Sequence, residues 1–119
     1  ILVSTHGGRQ LDQTMSSIEM VPEIVQAVNG KAEVYMDSGV RRGSDVIKAL
    51  SLGVKAVGIG RPLYWGLAEN GAEGVHHVLE LLREEVGRAM GFCGQSDVSN
   101  LDDALINVPN SWGPGSTAP

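Results

Sequence analysis

Cysteine is almost absent from this 119-residue sequence: Cys93 stands alone, so no internal disulfide can form, and a reducing, cytoplasmic setting is expected. Aromatic residues are scarce as well, at 4%, yet 42% of the residues are apolar and 19% charged, the composition of a globular chain long enough for a core. No apolar run approaches the roughly 20 residues that a membrane-spanning helix needs. Basic residues are in the minority, 9 against 14 acidic, for a formal net charge of -5. Nucleic acids and anionic membranes select basic surfaces, so neither is expected as a partner. There is no initiating Met and no basic-then-apolar leader, and the terminal Ser116-Thr117-Ala118-Pro119 is not a peroxisomal Ser-Lys-Leu signal. The chain opens inside what reads as a buried strand, so a piece of a longer protein is expected.

What the sequence does have is a rhythm of short apolar runs, each followed by a glycine-bearing loop and an amphipathic stretch. Ile1-Leu2-Val3 reads as the end of a strand that opens into Ser4-Thr5-His6-Gly7-Gly8-Arg9-Gln10-Leu11-Asp12. Ser16 or Ser17 then caps a helix, with Glu19 in its first turn and Ile18, Val21, Ile24, Val25 and Val28 at helical spacing. Pro22 is placed near the first turn, and Asn29-Gly30 ends the helix. Glu33-Val34-Tyr35-Met36 is a second strand, running into Asp37-Ser38-Gly39-Val40-Arg41-Arg42-Gly43; Ser44 caps the next helix and Gly53 stops it. Ala56 to Ile59 is a third strand, ending at Gly60-Arg61-Pro62. A short segment through Tyr64, Trp65 and Leu67 leads to an Asn70-Gly71 turn. A long helix from about Ala72 to Met90 follows, with Val75, Val78, Leu79, Leu82, Val86 and Met90 on one face. One helical turn is expected near Asp97 to Leu101, and the Gly-, Pro- and Ser-rich stretch 109–119 is expected to be a flexible tail beyond a domain portion at 1–108. Alternating strands and helices imply an α/β fold with a parallel sheet and right-handed crossovers. A complete (β/α)8 TIM barrel takes about 250 residues, so three units are somewhat under half of one.

In such a fold ligands bind at the carboxyl ends of the strands, where all three loops would lie on one face. His6 is the candidate general base and Arg9 the candidate anion clamp. The second and third loops join glycines and free backbone amides to Arg41 and Arg61, which is what a phosphate needs at a loop-to-helix junction. Asp37 cannot hold a phosphate and would instead accept a hydroxyl or orient an arginine. Singly, each feature has a plainer reading: Gly60-Arg61-Pro62 as a turn, Arg41-Arg42 as a solvated pair, His6 as structural. Gly58-x-Gly60 is not a dinucleotide fingerprint, because Leu63 stands where the third Gly belongs. His76 and His77 read as surface or packing residues on the long helix, so no metal site is expected; Cys93 reads as inert, and Tyr64 and Trp65 as packing. Three consecutive strand ends bearing convergent glycines and cations nevertheless outweigh the separate readings.

At these residues the chain resembles the FMN-dependent α-hydroxy-acid dehydrogenases and oxidases. The resemblance lies in Ser4 to Asp12, where Thr5 replaces the usual Asn. It continues in Asp37 to Leu50, where Ser38 replaces the usual Gly, and in Ala56 to Pro62 with Trp65-Gly66-Leu67-Ala68. It covers residues 1 to about 95 and implies the C-terminal part of an FMN-binding TIM barrel. It further implies oxidation of a small L-2-hydroxy acid to the 2-oxo acid, with His6 as base and Arg9 on the substrate carboxylate. Asp37, Gly39, Arg41, Gly60 and Arg61, with Ser38 among them, would hold FMN, and Ser4 would lie near the flavin ring. The residue types suit that reaction: imidazole can accept a proton at physiological pH, and guanidinium binds a carboxylate bidentately. The resemblance also implies that an Asp orienting the His, a Lys near the flavin and substrate-side Tyr residues come from earlier strands, so the chain would need those strands and a homo-oligomer is expected. Two other readings stay open: another FMN-binding TIM-barrel enzyme, and a non-catalytic fragment that packs with a partner chain.

Overall fold

Parallel strands that feed glycine-rich loops can be short, because the loops rather than the ladder carry the chain across. In the computed structural model, which describes residues 1–112, β1 is Leu2–Val3, β2 Tyr35–Met36 and β3 Ala56–Val57. They form one parallel sheet in the order β1-β2-β3, with Leu2, Tyr35 and Ala56 in one row and Val3, Met36 and Val57 in the next. Bonds from Tyr35 N–H to Ile1 C=O (2.7 Å), Asp37 N–H to Val3 C=O (3.1 Å) and Gly58 N–H to Met36 C=O (2.8 Å) extend the ladder past these bounds. Successive strand residues face opposite ways. Val3 and Met36 are buried against the helices, whereas Leu2 is 58% exposed and Tyr35 37%. The opening run is therefore buried on one face only, unlike the wholly buried strand expected from its composition.

The first helix, α1, spans Ser17–Val28. Its start is fixed by Glu19, whose carboxylate accepts from the Ser16 N–H (2.7 Å) and the Ser16 hydroxyl (2.5 Å). Asn29 takes a left-handed φ of 47° and donates to the Val25 carbonyl, ending the helix where the Asn-Gly pair predicts. Pro22 stands in the second turn, later than expected, and deprives the Ile18 carbonyl of an intrahelical donor without breaking the helix.

The next helix, α2, spans Gly43–Ser51 and is capped by Arg42 rather than Ser44. The Asp45 carboxylate accepts from the N–H groups of Arg41 (3.1 Å) and Arg42 (3.0 Å), which closes the first turn two residues early. The last helix, α3, spans Arg61–Phe92 and bends at Asn70 and Gly71, so the expected short segment is itself a helical limb. The two limbs meet backbone to backbone: a Cβ on Gly74 would lie 1.9 Å from the Gly66 carbonyl oxygen. The second limb also rests on the start of α2, where a Cβ on Gly43 would come within 2.3 Å of the Val86 nitrogen. Val75, Val78, Leu82, Val86 and Met90 are half-buried along that limb, but Leu79 is exposed.

The core lies between the sheet and the first two helices, built from Val3, Val21, Val34, Met36, Val40, Ala49, Leu52 and Val54. Ile106, Val108 and Trp112 pack against it from the C-terminal segment, which reaches it through single 3-10 turns at Val98–Asn100 and Asp103–Leu105. The expected tail 109–119 falls partly outside the described residues, at 113–119. Among the described residues no helix is long and apolar enough to cross a membrane.

Candidate active site

The first loop turns through three successive left-handed residues, His6 (φ 52°), Gly7 (φ 68°) and Gly8 (φ 76°). Two glycines adopt this readily and the histidine does so against its preference. Local bonds hold the turn: Gly8 N–H to Thr5 C=O (3.0 Å) and His6 N–H to the Ser4 hydroxyl (3.1 Å). Two bonds to other elements fix it in place. Thr5 N–H donates to the hydroxyl of Ser17, buried in the first turn of α1 (3.1 Å), and Gly7 N–H donates to the Ser38 hydroxyl (3.0 Å). Ser38 in turn donates to Asp37 Oδ1 at 2.7 Å. Among the described residues no carboxylate hydrogen-bonds the His6 ring.

The second loop departs from the expected phosphate cradle in one respect. The amides at the start of α2 already serve carboxylates: Asp45 takes those of Arg41 and Arg42, and Glu85 of α3 takes that of Gly43 (2.7 Å). Glu85 also pairs with Arg42 Nε at 3.3 Å. The positive end of this helix is thus occupied from within the chain, which leaves side-chain charge and the third loop for an anion. The Arg41 guanidinium lies over the Trp65 ring, 5.7 Å from its centroid. Arg61, at the start of α3, reaches back to the first loop, where a Cβ on Gly7 would stand 3.4 Å from Arg61 Nη2.

Together the loops enclose a cleft of about 560 Å³ lined by His6, Arg9, Asp37, Ser38, Gly39, Arg41, Gly60 and Arg61, with Gly7, Gly58 and Tyr64 among the remaining walls. Every predicted site residue except Ser4 is there; Ser4 lies outside and spends its hydroxyl on the His6 amide. Three arginines against one aspartate give the cleft an excess of positive charge suited to anionic ligands. A second hollow of about 590 Å³, apolar and walled by Ile106, Val108 and Trp112, adjoins it at Ser38, Gly39 and Val40 but has no such convergence of cations. Among the described residues no three His, Cys, Asp or Glu side chains converge as metal ligands, and His76 and His77 are exposed on α3.

Two contributors escape sequence reasoning. Trp65, expected to pack, is half-exposed and carries the Arg41 guanidinium over its ring, a contact between a loop and a helix that no local spacing signals. Glu85 carries no signal, being 42 residues from the amide it caps.

Known proteins share this fold. The family model described as FMN-dependent dehydrogenase matches residues 1–108. The chain is similar to an L-lactate oxidase of Nostoc sp., 53% identical over 108 residues that make up 91% of this chain and 30% of the relative. It is similar to human 2-hydroxyacid oxidase 1, 55% identical over 106 residues, 89% of this chain and 29% of that one. Among solved structures, mandelate oxidase with 3,3-difluoro-2-hydroxy-3-phenylpropionic acid superposes with a TM-score of 0.83 at 52% identity, over 87% of this chain and 31% of that one. A mandelate oxidase variant with a monooxide FMN adduct gives a TM-score of 0.80 at 55% identity, over 83% of this chain and 32% of that one. The chain spans about 30% of the length of these relatives, and its three parallel units are the corresponding portion of a (β/α)8 barrel. By family model, by identity and by superposed fold, the chain belongs to the FMN-dependent dehydrogenases.

Proposed function

We propose that the protein oxidises a small L-2-hydroxy acid to the 2-oxo acid with FMN, His6 acting as the base and Arg9 as the carboxylate clamp. The observation that carries this reading is the convergence of His6 and Arg9 with two glycine-rich, arginine-bearing loops on one cleft. The residues suit the cofactor. Arg41 and Arg61 offer permanent positive charge to a phosphate, and Gly39 and Gly60 have nothing within 4 Å of where a Cβ would stand, so their backbone is open to a ligand. Asp37 suits a ribityl hydroxyl. FMN, when bound, supplies the acceptor for the electron pair.

Oxidation of a 2-hydroxy acid removes a proton and, formally, a hydride. Arg9 holds the carboxylate through two parallel N–H donors and so fixes the α-carbon in one orientation. His6, three residues away on the same turn, accepts the proton on a ring nitrogen. The left-handed backbone of His6-Gly7-Gly8 brings both side chains to one cleft, which an extended segment, alternating its side chains, would not do.

The test is anaerobic mixing of the FMN-loaded protein with lactate, glycolate and mandelate. Bleaching of the flavin absorbance by at least one of them is expected. In His6→Asn, FMN should remain bound while its reduction slows by about 100-fold or more, the scale of a lost general base. A protein that stays colourless with added FMN, or equal reduction rates in the two proteins, would overturn the reading.

A further inference from the structure

We propose that the Ser38 hydroxyl is a positioning group that ties the His6 loop to Asp37 and so sets the base relative to the cofactor side of the cleft. The inference rests on the role given above to His6.

Ser38 has a left-handed φ of 72°, a conformation that glycine takes freely and serine does not, and it is half-buried in the cleft wall. Its hydroxyl is used twice. It donates to Asp37 Oδ1 (2.7 Å) and accepts from Gly7 N–H (3.0 Å), joining residues 31 apart in sequence. The donation matters for the acceptance: a hydroxyl has one proton, and the carboxylate draws it away from Gly7, leaving a lone pair for the amide.

Gly7 is the residue after His6, in the middle of the left-handed run, which is a single 3-10 turn at His6–Gly8 with non-helical torsions at Gly7. Its anchors to other elements are the Ser17 bond at Thr5, which precedes the turn, and the Ser38 bond at Gly7, which is inside it. Without the second, the His6-Gly7-Gly8 turn would, among the described residues, be hydrogen-bonded to other elements only at its start. Because the same oxygen binds Asp37, the loop is referenced to the side chain that faces the cofactor rather than to the bulk of the fold.

Alanine and glycine at position 38 separate positioning from stability. Both remove the hydroxyl. Glycine also relieves the left-handed strain, so Ser38→Gly should melt higher than Ser38→Ala. If Ser38 positions the loop, the two variants fall together despite that difference. Amide exchange of the segment 4–11 in the FMN-loaded protein should accelerate in both by about tenfold, and flavin reduction by the best hydroxy acid should slow in both by about tenfold, the scale of one lost hydrogen bond. A reduction rate that follows melting temperature, near normal in Ser38→Gly and impaired in Ser38→Ala, would overturn the inference. So would unchanged exchange of the segment in both variants. Should Ser38→Ala fail to fold, Ser38→Gly decides alone by its exchange. If no hydroxy acid reduces the unaltered protein, the functional reading falls and takes the reference to the base with it, while the exchange comparison still reports whether the tether exists.

Discussion

Glu19 shows how much one carboxylate arranges at the scale of a residue. It accepts from both the amide and the hydroxyl of Ser16 and so fixes where α1 begins. The next residue, Ser17, anchors the His6 loop through Thr5, so the cap is two bonds away from the candidate base. The Ser16 hydroxyl first, and the Ser16 amide second, hold the Glu19 carboxyl below its ordinary value of 4.5. A pKa depressed by folding contributes stability that is fully present above the unfolded value and is lost as pH falls through the folded one. Glu19→Gln should therefore lose stability relative to the parent at pH 7, on the order of 1 kcal/mol for a broken cap, and the difference should shrink as pH drops below about 4. Urea unfolding of both proteins at pH 7 and pH 3 measures it. A gap that stays constant with pH would show that the charge of Glu19 has no part in the cap.

At the scale of the element, α3 works as a strut for the second and third loops. Its first limb carries Arg61 and, one turn on, the Trp65 ring over which Arg41 lies. Its second limb carries Glu85, which holds Gly43 and Arg42. Cation–π contact at a half-exposed site is worth about 0.5–1 kcal/mol. If Trp65 holds Arg41 toward a phosphate, Trp65→Ala should weaken FMN binding several-fold while leaving riboflavin, which lacks the phosphate, nearly unaffected; Trp65→Phe should lie between. Fluorescence titration of the apoprotein with each flavin checks this, and an equal loss for both flavins would point to packing instead. The sequence disclosed the helices where their signals are local: Ser16 with Glu19, Asn29 with Gly30, the spacing of Val21, Ile24, Val25 and Val28. It also disclosed the cleft, because His6, Asp37, Arg41 and Arg61 each follow a strand, and parallel strands put their ends together. It did not disclose the Arg42 cap, the Glu85 contact or the Trp65 platform. The last two depend on where α3 lies against its neighbours, a tertiary distance; the cap is local, set by Asp45 accepting from Arg41 and Arg42 rather than by the side chain of Ser44. Ser4 is the one expected site residue outside the cleft lining, and its hydroxyl accepts from the His6 amide.

At the largest scale, the described residues present a sheet covered on one side. The Val3–Met36–Val57 row packs on α1 and α2, while the row of Leu2, Tyr35 and Ala56 is exposed, and a parallel sheet is stable only when both faces are covered. The strand order and direction were legible from three repeats of strand, loop and helix; the bare face was not, since the apolar run Ile1-Leu2-Val3 reads as buried on both sides. Leu2 and Tyr35 stand side by side on adjacent strands and form an apolar strip beside the edge of β1, which has no strand partner among the described residues, the combination that invites another chain to dock. These 119 residues, prepared on their own, should accordingly bind the dye ANS and sediment as a concentration-dependent mixture of oligomers. Leu2→Lys should reduce both signals: it places charge on the strip, and at 58% exposure Leu2 contributes little to the core, so the melting temperature should hardly move. A loss of melting temperature as large as that from a core truncation would mean that Leu2 is packed rather than bare. A monomer that ignores the dye would mean that the helices alone suffice to hold a one-sided parallel sheet.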